Sequence, residues 1–261
     1  MAGAWFGERG SEGLALVHTL IANMKGNIRD EQSSLSYITF IPWGIVLKMC
    51  GIAGIIDKKA MELETRVRLM IGCLSHRGPD DEGFYKEKDI CLAHRRLVII
   101  DLTKEAQQPM IDRDNVLVFN GEIYNYHDLR KTLVENGIVF HSKSDTEVLL
   151  HGYRLFGDRI VKMLRGMFSF ALWDGEKKRL FCARDPFGKK PFYFYEGNGK
   201  FVFASEIEAV VKGLSGRPGI DFSGISYYLR KGYFPPGQSV YQSIGTLKAG
   251  HCLEVDLLTG C

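Results

Sequence analysis

Four short runs crowd into residues 167–205: MFSFALWD, RLFCARD, PFYFYE and FVFASE, separated by DGEKK, PFGKK and GNGK. Aromatic and β-branched residues suit a pleated, half-buried backbone, and Gly, Asp and Pro suit the turns between, so the segment predicts a β meander. VLVFN at 116–120 is apolar through Phe119, as a strand covered on both faces requires. CGIAGIID at 50–57 and ICLAHRRLVII at 90–100 read as two more strands. Residues 62–75 place Val67, Met70, Ile71 and Leu74 at helical spacing, and Gly78-Pro79 ends that pattern. DLRKTLVENG reads as a helix closing at Gly137, and Ser144 with Glu147 has the capping-box form that opens another. Strands, helices and more strands imply an α+β chain of stacked sheets with helices outside. Residues 206–261 read as loop-like around Phe234-Pro235-Pro236-Gly237, leading into something further.

Composition narrows the function. The 261 residues carry a formal charge of only +3, and no basic run is interleaved with aromatics, which argues against nucleic acid. Cysteines at 50, 73, 91, 182, 252 and 261 show neither CxxC nor a metal-ligand spacing, so reduced thiols in the cytoplasm and no metal are expected. The apolar stretches are too short to span a bilayer, so no membrane is expected. Residues 1–48 form no convincing signal peptide. They read as translation upstream of a start at Met49, as a propeptide, or as a true extension, and the first reading is favoured.

Few residues stand out chemically. Asn120-Gly121 is the commonest signal for a tight hairpin turn, and on that motif alone the hairpin is favoured. The pair nevertheless ends a buried apolar strand, and an amide NH2 beside a glycine N–H supplies two donors fit to hold an oxyanion. Arg96 is ordinarily a solvated or salt-bridged residue, yet a planar guanidinium is also the best bidentate partner for a carboxylate. Asp145 lies in the first turn of the Ser144-capped helix, where the helix dipole favours an ionised acid with acceptor capacity left for an ammonium group. A cation for a carboxylate and an acid for an ammonium are what a free α-amino acid needs. Two donors beside a cysteine are what thiol attack on an amide needs.

From Met49 to about residue 258 the chain resembles the glutaminase half of glutamine-hydrolysing asparagine synthetases, a group of class II glutamine amidotransferases. MCGIAGI, HRGPDDEG, LAHRRLVIIDL, FNGEIYNYHDLR, SDTEVLLHGY, GMFSFALWD, ARDPFGKKPFYF and FASEIEAV stand in that family's order. The resemblance implies a four-layer αββα N-terminal nucleophile hydrolase fold over residues 50–205, with 206–261 completing the domain and beginning the link to a synthetase domain. It implies Cys50 as nucleophile, with Asn120 and the Gly121 N–H as oxyanion hole. Arg96 would hold the α-carboxylate of glutamine, Leu97, Val98, Ile99 and Ile100 would shape the same wall, and Glu122 and Asp145 would hold the α-ammonium. His76, Arg77 and the ARDPFG turn are expected to be structural.

In this family the proton acceptor is the nucleophile's own α-amine. A thiol near pKa ~8.5 is matched by an α-amine near ~7.7–8.0, whereas a peptide nitrogen is not basic. Cys50 is therefore expected to be N-terminal in an active form. No cofactor is expected in this chain. An ATP-pyrophosphatase partner domain using ATP and Mg is implied, its serine-glycine-glycine loop is not found here, and a homodimer is open. Three rivals stand beside this reading: an amidotransferase with another acceptor, a non-catalytic glutamine-binding module, and, ranked last, a papain-type enzyme needing a histidine beside Cys50.

Overall fold

The computed structural model describes residues 49–59, 62–97 and 103–257. The predicted wall residues Val98, Ile99 and Ile100 and the segment 1–48 lie outside the described residues. The chain runs β1 (Gly51–Asp57), α1 (Leu63–Gly72), β2 (Asp81–Glu87), β3 (Ile90–Arg96), β4 (Met110–Asp112), β5 (Asn115–Ile123), α2 (Tyr126–Glu135), α3 (Asp145–Phe156) and β6 (Gly166–Asp174). It continues through β7 (Arg179–Arg184), β8 (Tyr193–Gly197), β9 (Lys200–Ala204), α4 (Ile207–Gly213), α5 (Phe222–Lys231), β10 (Ile244–Thr246) and β11 (Cys252–Asp256).

The strands form two antiparallel sheets, one ordered β10-β8-β9-β1-β3-β2 and the other β11-β7-β6-β5-β4. Alternation along each strand divides the apolar residues among three cores. Ile52 and Ile56 of β1, Val116 and Val118 of β5, and Ala171 and Trp173 of β6 meet between the sheets. Ala53 and Ile55 of β1 face the opposite way, onto Val67, Met70 and Ile71 of α1 and Ala209 and Val210 of α4. Leu117 and Phe119 of β5 and Phe168, Phe170 and Leu172 of β6 pack against Leu129 and Leu133 of α2 and Val148 and Leu149 of α3. The layers are thus helix, sheet, sheet, helix. The uninterrupted apolar runs follow from this, because the central strands bury both faces.

Two expectations need correction. Residues 167–205 supply four strands but not one meander: β6 and β7 lie in one sheet, β8 and β9 in the other. The crossing between them is a polar turn. Asp185 accepts backbone N–H bonds from Phe187 and Lys189 through Oδ1 and from Lys190 through Oδ2, each 3.0 Å. Arg184 donates to the carbonyls of Lys190, Leu247 and Gly188, each 2.7 Å. A hairpin needs no such network; a change of sheet does, because its backbone groups have no ladder partner. Residues 206–256 are likewise more than loop, since α4 packs under the first sheet, β10 pairs with β8, and β11 pairs with β7.

Close packing between the sheets sets a mutational limit at Gly54. A Cβ there would fall 2.4 Å from the Phe203 ring and 2.7 Å from Leu92 Cδ2, both fully buried. Gly54→Ala should therefore cost about 1–3 kcal/mol through overpacking, read as a lower urea midpoint at unchanged m-value.

Candidate active site

β1 sits between β3 and β9, so the residue just before it is fixed in place. Cys50 is that residue. Its carbonyl accepts from Arg77 Nε at 3.1 Å, and the neighbouring Met49 N–H donates to the Arg77 carbonyl at 2.9 Å. Arg77 also pairs with Glu206 at 3.0 Å, which Glu206 shares with His76 at 2.9 Å. Arg77 thus holds the backbone on which the candidate nucleophile sits, and His76 braces the shared Glu206. Sγ of Cys50 receives the Leu97 N–H at 3.4 Å and lies 3.7 Å from the Leu97 carbonyl. Burial pushes this thiol above its ordinary value, against the opposing pull of the Leu97 contact and of Lys190 and Arg96.

Opposite Cys50 runs β5. Asn120 and Gly121 are no hairpin turn; they lie within the strand, across from Ser169 and Phe168 of β6. The local signal was overridden because β5 continues past Asn120 to Ile123. A Cβ on Gly121 would meet the Met167 carbonyl at 2.4 Å, so the adjoining strand itself demands glycine. β4 pairs with β5 only as far as Leu117, leaving the next stretch of edge open. Along it the Phe119 N–H donates to Gln108 Oε1 at 2.7 Å and the Ile123 N–H to Asp145 Oδ2 at 2.9 Å. Strand alternation points the Gly121 N–H, midway between them, to the same edge. Asn120 Nδ2 is buried and has no hydrogen-bond partner among the described residues. A buried amide left unpaired is costly, so the site holds a donor ready for an acceptor brought by a ligand.

The remaining groups close around this edge. Arg96 ends β3, nearly buried, with Nη1 donating to the Thr103 carbonyl at 3.1 Å. Asp145 opens α3 behind Ser144, whose Oγ accepts the Glu147 N–H at 3.2 Å. The capping box is modified: the Glu147 carboxylate reaches past Ser144 to the N–H groups of His141 and Ser142, at 2.8 and 2.7 Å. Asp145 also departs from expectation. Burial outweighs its backbone hydrogen bonds and pushes the carboxyl up to about 6, with Glu122 adding to the rise. A cavity of about 100 Å³ joins Cys50, Arg96, Leu97, Asn120, Gly121, Glu122 and Asp145. Gln108 and Lys190 line it as well, and sequence reasoning missed both. Nothing local distinguishes a glutamine after a loop or a second lysine in a turn. The site is sized for one small ligand, with cation, acid, thiol and free donors all turned inward.

No histidine hydrogen-bonds Cys50 Sγ among the described residues. His94 is fully buried with Nε2 on the Phe119 carbonyl at 3.1 Å, and burial lowers it to about 3. It ties the two sheets together as a neutral ring. No cluster of three or more His, Cys, Asp or Glu suited to a metal occurs among the described residues.

Two β-sheets between helical layers, with a cysteine at the mouth of a central strand, define an N-terminal nucleophile amidotransferase fold. Glutamine phosphoribosylpyrophosphate amidotransferase from B. subtilis, complexed with ADP and GMP, shares it at TM-score 0.55 and 23% identity, over 63% of this chain and 43% of that one. The chain belongs to the glutamine amidotransferase domain family, which matches residues 49–258. A putative glutamine-hydrolysing asparagine synthetase of Methanocaldococcus jannaschii is 35% identical over 80% of this chain and 44% of its own length. Asparagine synthetase 3 of Bacillus subtilis is 36% identical over 78% of this chain and 34% of its own length. The chain therefore spans less than half of these relatives. No helix among the described residues is long and apolar enough to cross a membrane.

The raised Asp145 has a consequence for stability. Its unfolded carboxyl ionises near 3.8 and its folded one near 6, so the fold loses stability as pH rises between those values and the loss is complete at neutral pH. Asp145→Asn keeps an acceptor for Ile123 and should be more stable than the parent by about 1–3 kcal/mol at pH 7. Urea unfolding should show that gain disappearing at pH 4.

Proposed function

We propose that this domain hydrolyses glutamine through Cys50. The ammonia serves ATP-dependent synthesis of asparagine from aspartate in a partner synthetase domain that uses ATP and Mg. The observation that carries the reading is the buried Asn120 amide, which has no hydrogen-bond partner among the described residues and lines the same cavity as the Cys50 thiol, Arg96 and Asp145. Those groups suit the two ends of a free amino acid and the developing charge of its side-chain amide. The relatives' names support the acceptor, and their greater length leaves room for a further domain.

Arg96 holds the α-carboxylate, Asp145 and Glu122 hold the α-ammonium, and Leu97 forms the wall beside the thiol. The Cys50 α-amine takes the Sγ proton as sulfur attacks the side-chain carbonyl carbon. Asn120 Nδ2 and the Gly121 N–H receive the oxyanion. Its collapse expels nitrogen, which takes up a proton and leaves as ammonia. Water then adds to the thioester through a second oxyanion, releasing glutamate and restoring the thiol. Before Met49 is removed, the Cys50 nitrogen is an amide and Met49 itself lines the cavity. The active form therefore begins at Cys50.

Expressed from Met49 with that methionine removed, the protein should release ammonia from glutamine, whereas a chain retaining residues 1–49 should not. Equal rates from both would sink the α-amine mechanism. In the active form Arg96→Ala should raise KM at least tenfold with a smaller change in kcat. Asn120→Ala should instead lower kcat by about 10²–10³, the usual loss for one oxyanion donor, in steady-state ammonia assays.

A further inference from the structure

Lys190 lies outside every role assigned so far, yet it is only 7% exposed and its side chain lines the Cys50 cavity. The single hydrogen bond of its side chain among the described residues runs from Nζ to the Met49 thioether, at 3.2 Å. A thioether is a weak acceptor, and a buried ammonium normally requires an ion pair or several oxygens. Lys190 makes no ion pair among the described residues. The turn that carries it is nonetheless firmly held. Asp185 binds its N–H at 3.0 Å and Arg184 binds its carbonyl at 2.7 Å, so the backbone is fixed from both sides. A turn built this strongly to present a poorly partnered cation implies that the cation's partner is what occupies the cavity.

We propose that Lys190 sets the charge at the nucleophile: its ammonium, held by the 184–190 turn, favours negative charge on Cys50 Sγ. It donates no proton. In glutamine hydrolysis the Sγ proton passes to the α-amine, and Lys190 stays an ammonium while the thiolate forms and the thioester is later cleaved. Of the charged groups around the pair, Arg96 and Asp145 also act on the thiol, with opposite signs. Arg77, Glu122 and Asp185 act on Lys190. Lys190 precedes Arg96 among the cations that oppose the burial-driven rise of the thiol. The inference deepens the glutaminase reading, but its test does not depend on that reading.

The test is the pH dependence of Cys50 alkylation by iodoacetamide in the full chain, followed on the Cys50 peptide by mass spectrometry. Lys190→Met, close in shape but uncharged, should move the alkylation midpoint up by about one pH unit and slow the reaction about tenfold at pH 7. Lys190→Gln should act in the same direction, and either variant suffices should the other fold poorly. Lys190→Arg should restore most of the rate. Lys189→Met removes the same charge from the exposed neighbouring position and should leave the profile near the parent's. An unchanged midpoint in folded Lys190→Met or Lys190→Gln overturns the proposal. So does an equal shift in Lys189→Met, because net charge alone would then explain it. Absence of ammonia release by the parent protein starting at Cys50 would remove the glutaminase reading and leave the alkylation result standing.

Discussion

Everything in the site depends on β1 being clamped on four sides. β3 and β9 hydrogen-bond its edges, the second sheet covers one face, and α1 and α4 cover the other. A strand so enclosed cannot shift register without turning Ile52 and Ile56 out of one core and Ala53 and Ile55 out of another. The position of the residue before it is therefore determined by roughly the whole domain. Such enclosure would hold Cys50 in place even at a terminus, where fraying is otherwise expected. The Arg77 guanidinium on the Cys50 carbonyl completes the arrangement.

β5 meets the same need from the other sheet. Its far edge is left uncovered where β4 stops, and the vacated N–H positions are distributed among Gln108, Asp145 and the cavity. The candidate nucleophile and the candidate oxyanion donors thus come from different sheets, and the core between the sheets sets their separation. His94 contributes to this by reaching from β3 to the Phe119 carbonyl. Kept neutral by burial, it joins the layers without adding a charge beside the thiol.

Much of this was legible from residues alone. The apolar runs identified the strands because burial on both faces leaves an uninterrupted pattern, and the Ser144 cap marked the start of α3. Sheet membership was not legible. PFGKK and GNGK look equally turn-like, but only the first carries the Asp185 and Arg184 network, and those bonds form between residues that the turn itself brings together. Asn120-Gly121 misled for a related reason, since a glycine demanded by the Met167 carbonyl of a neighbouring strand is indistinguishable in sequence from one demanded by a turn. The candidate thiol, arginine and acid were nameable because ordered motifs carried them. Gln108 and Lys190 were not, because their roles come from position around a cavity.

The cavity's polar groups share a defect that explains what the protein gains from them. Among the described residues the Asn120 amide lacks an acceptor and the Lys190 ammonium has only a sulfur for a partner, and Asp145 is ionised against its surroundings at neutral pH. Each would be easier to bury in a form that asked less of its environment. Together they are complementary: a donor without an acceptor, an anion without a cation and a cation without an anion surround one small space. A ligand bearing an ammonium group and an anionic transition state relieves all three at once, and water does so less well because it brings no fixed charge. The instability is thus spread over three residues on separate elements, β5, α3 and the 184–190 turn. Their backbones are held in the sheets, by the Ser144 cap and by Asp185, so the relief arrives through the ligand and not through collapse of the site.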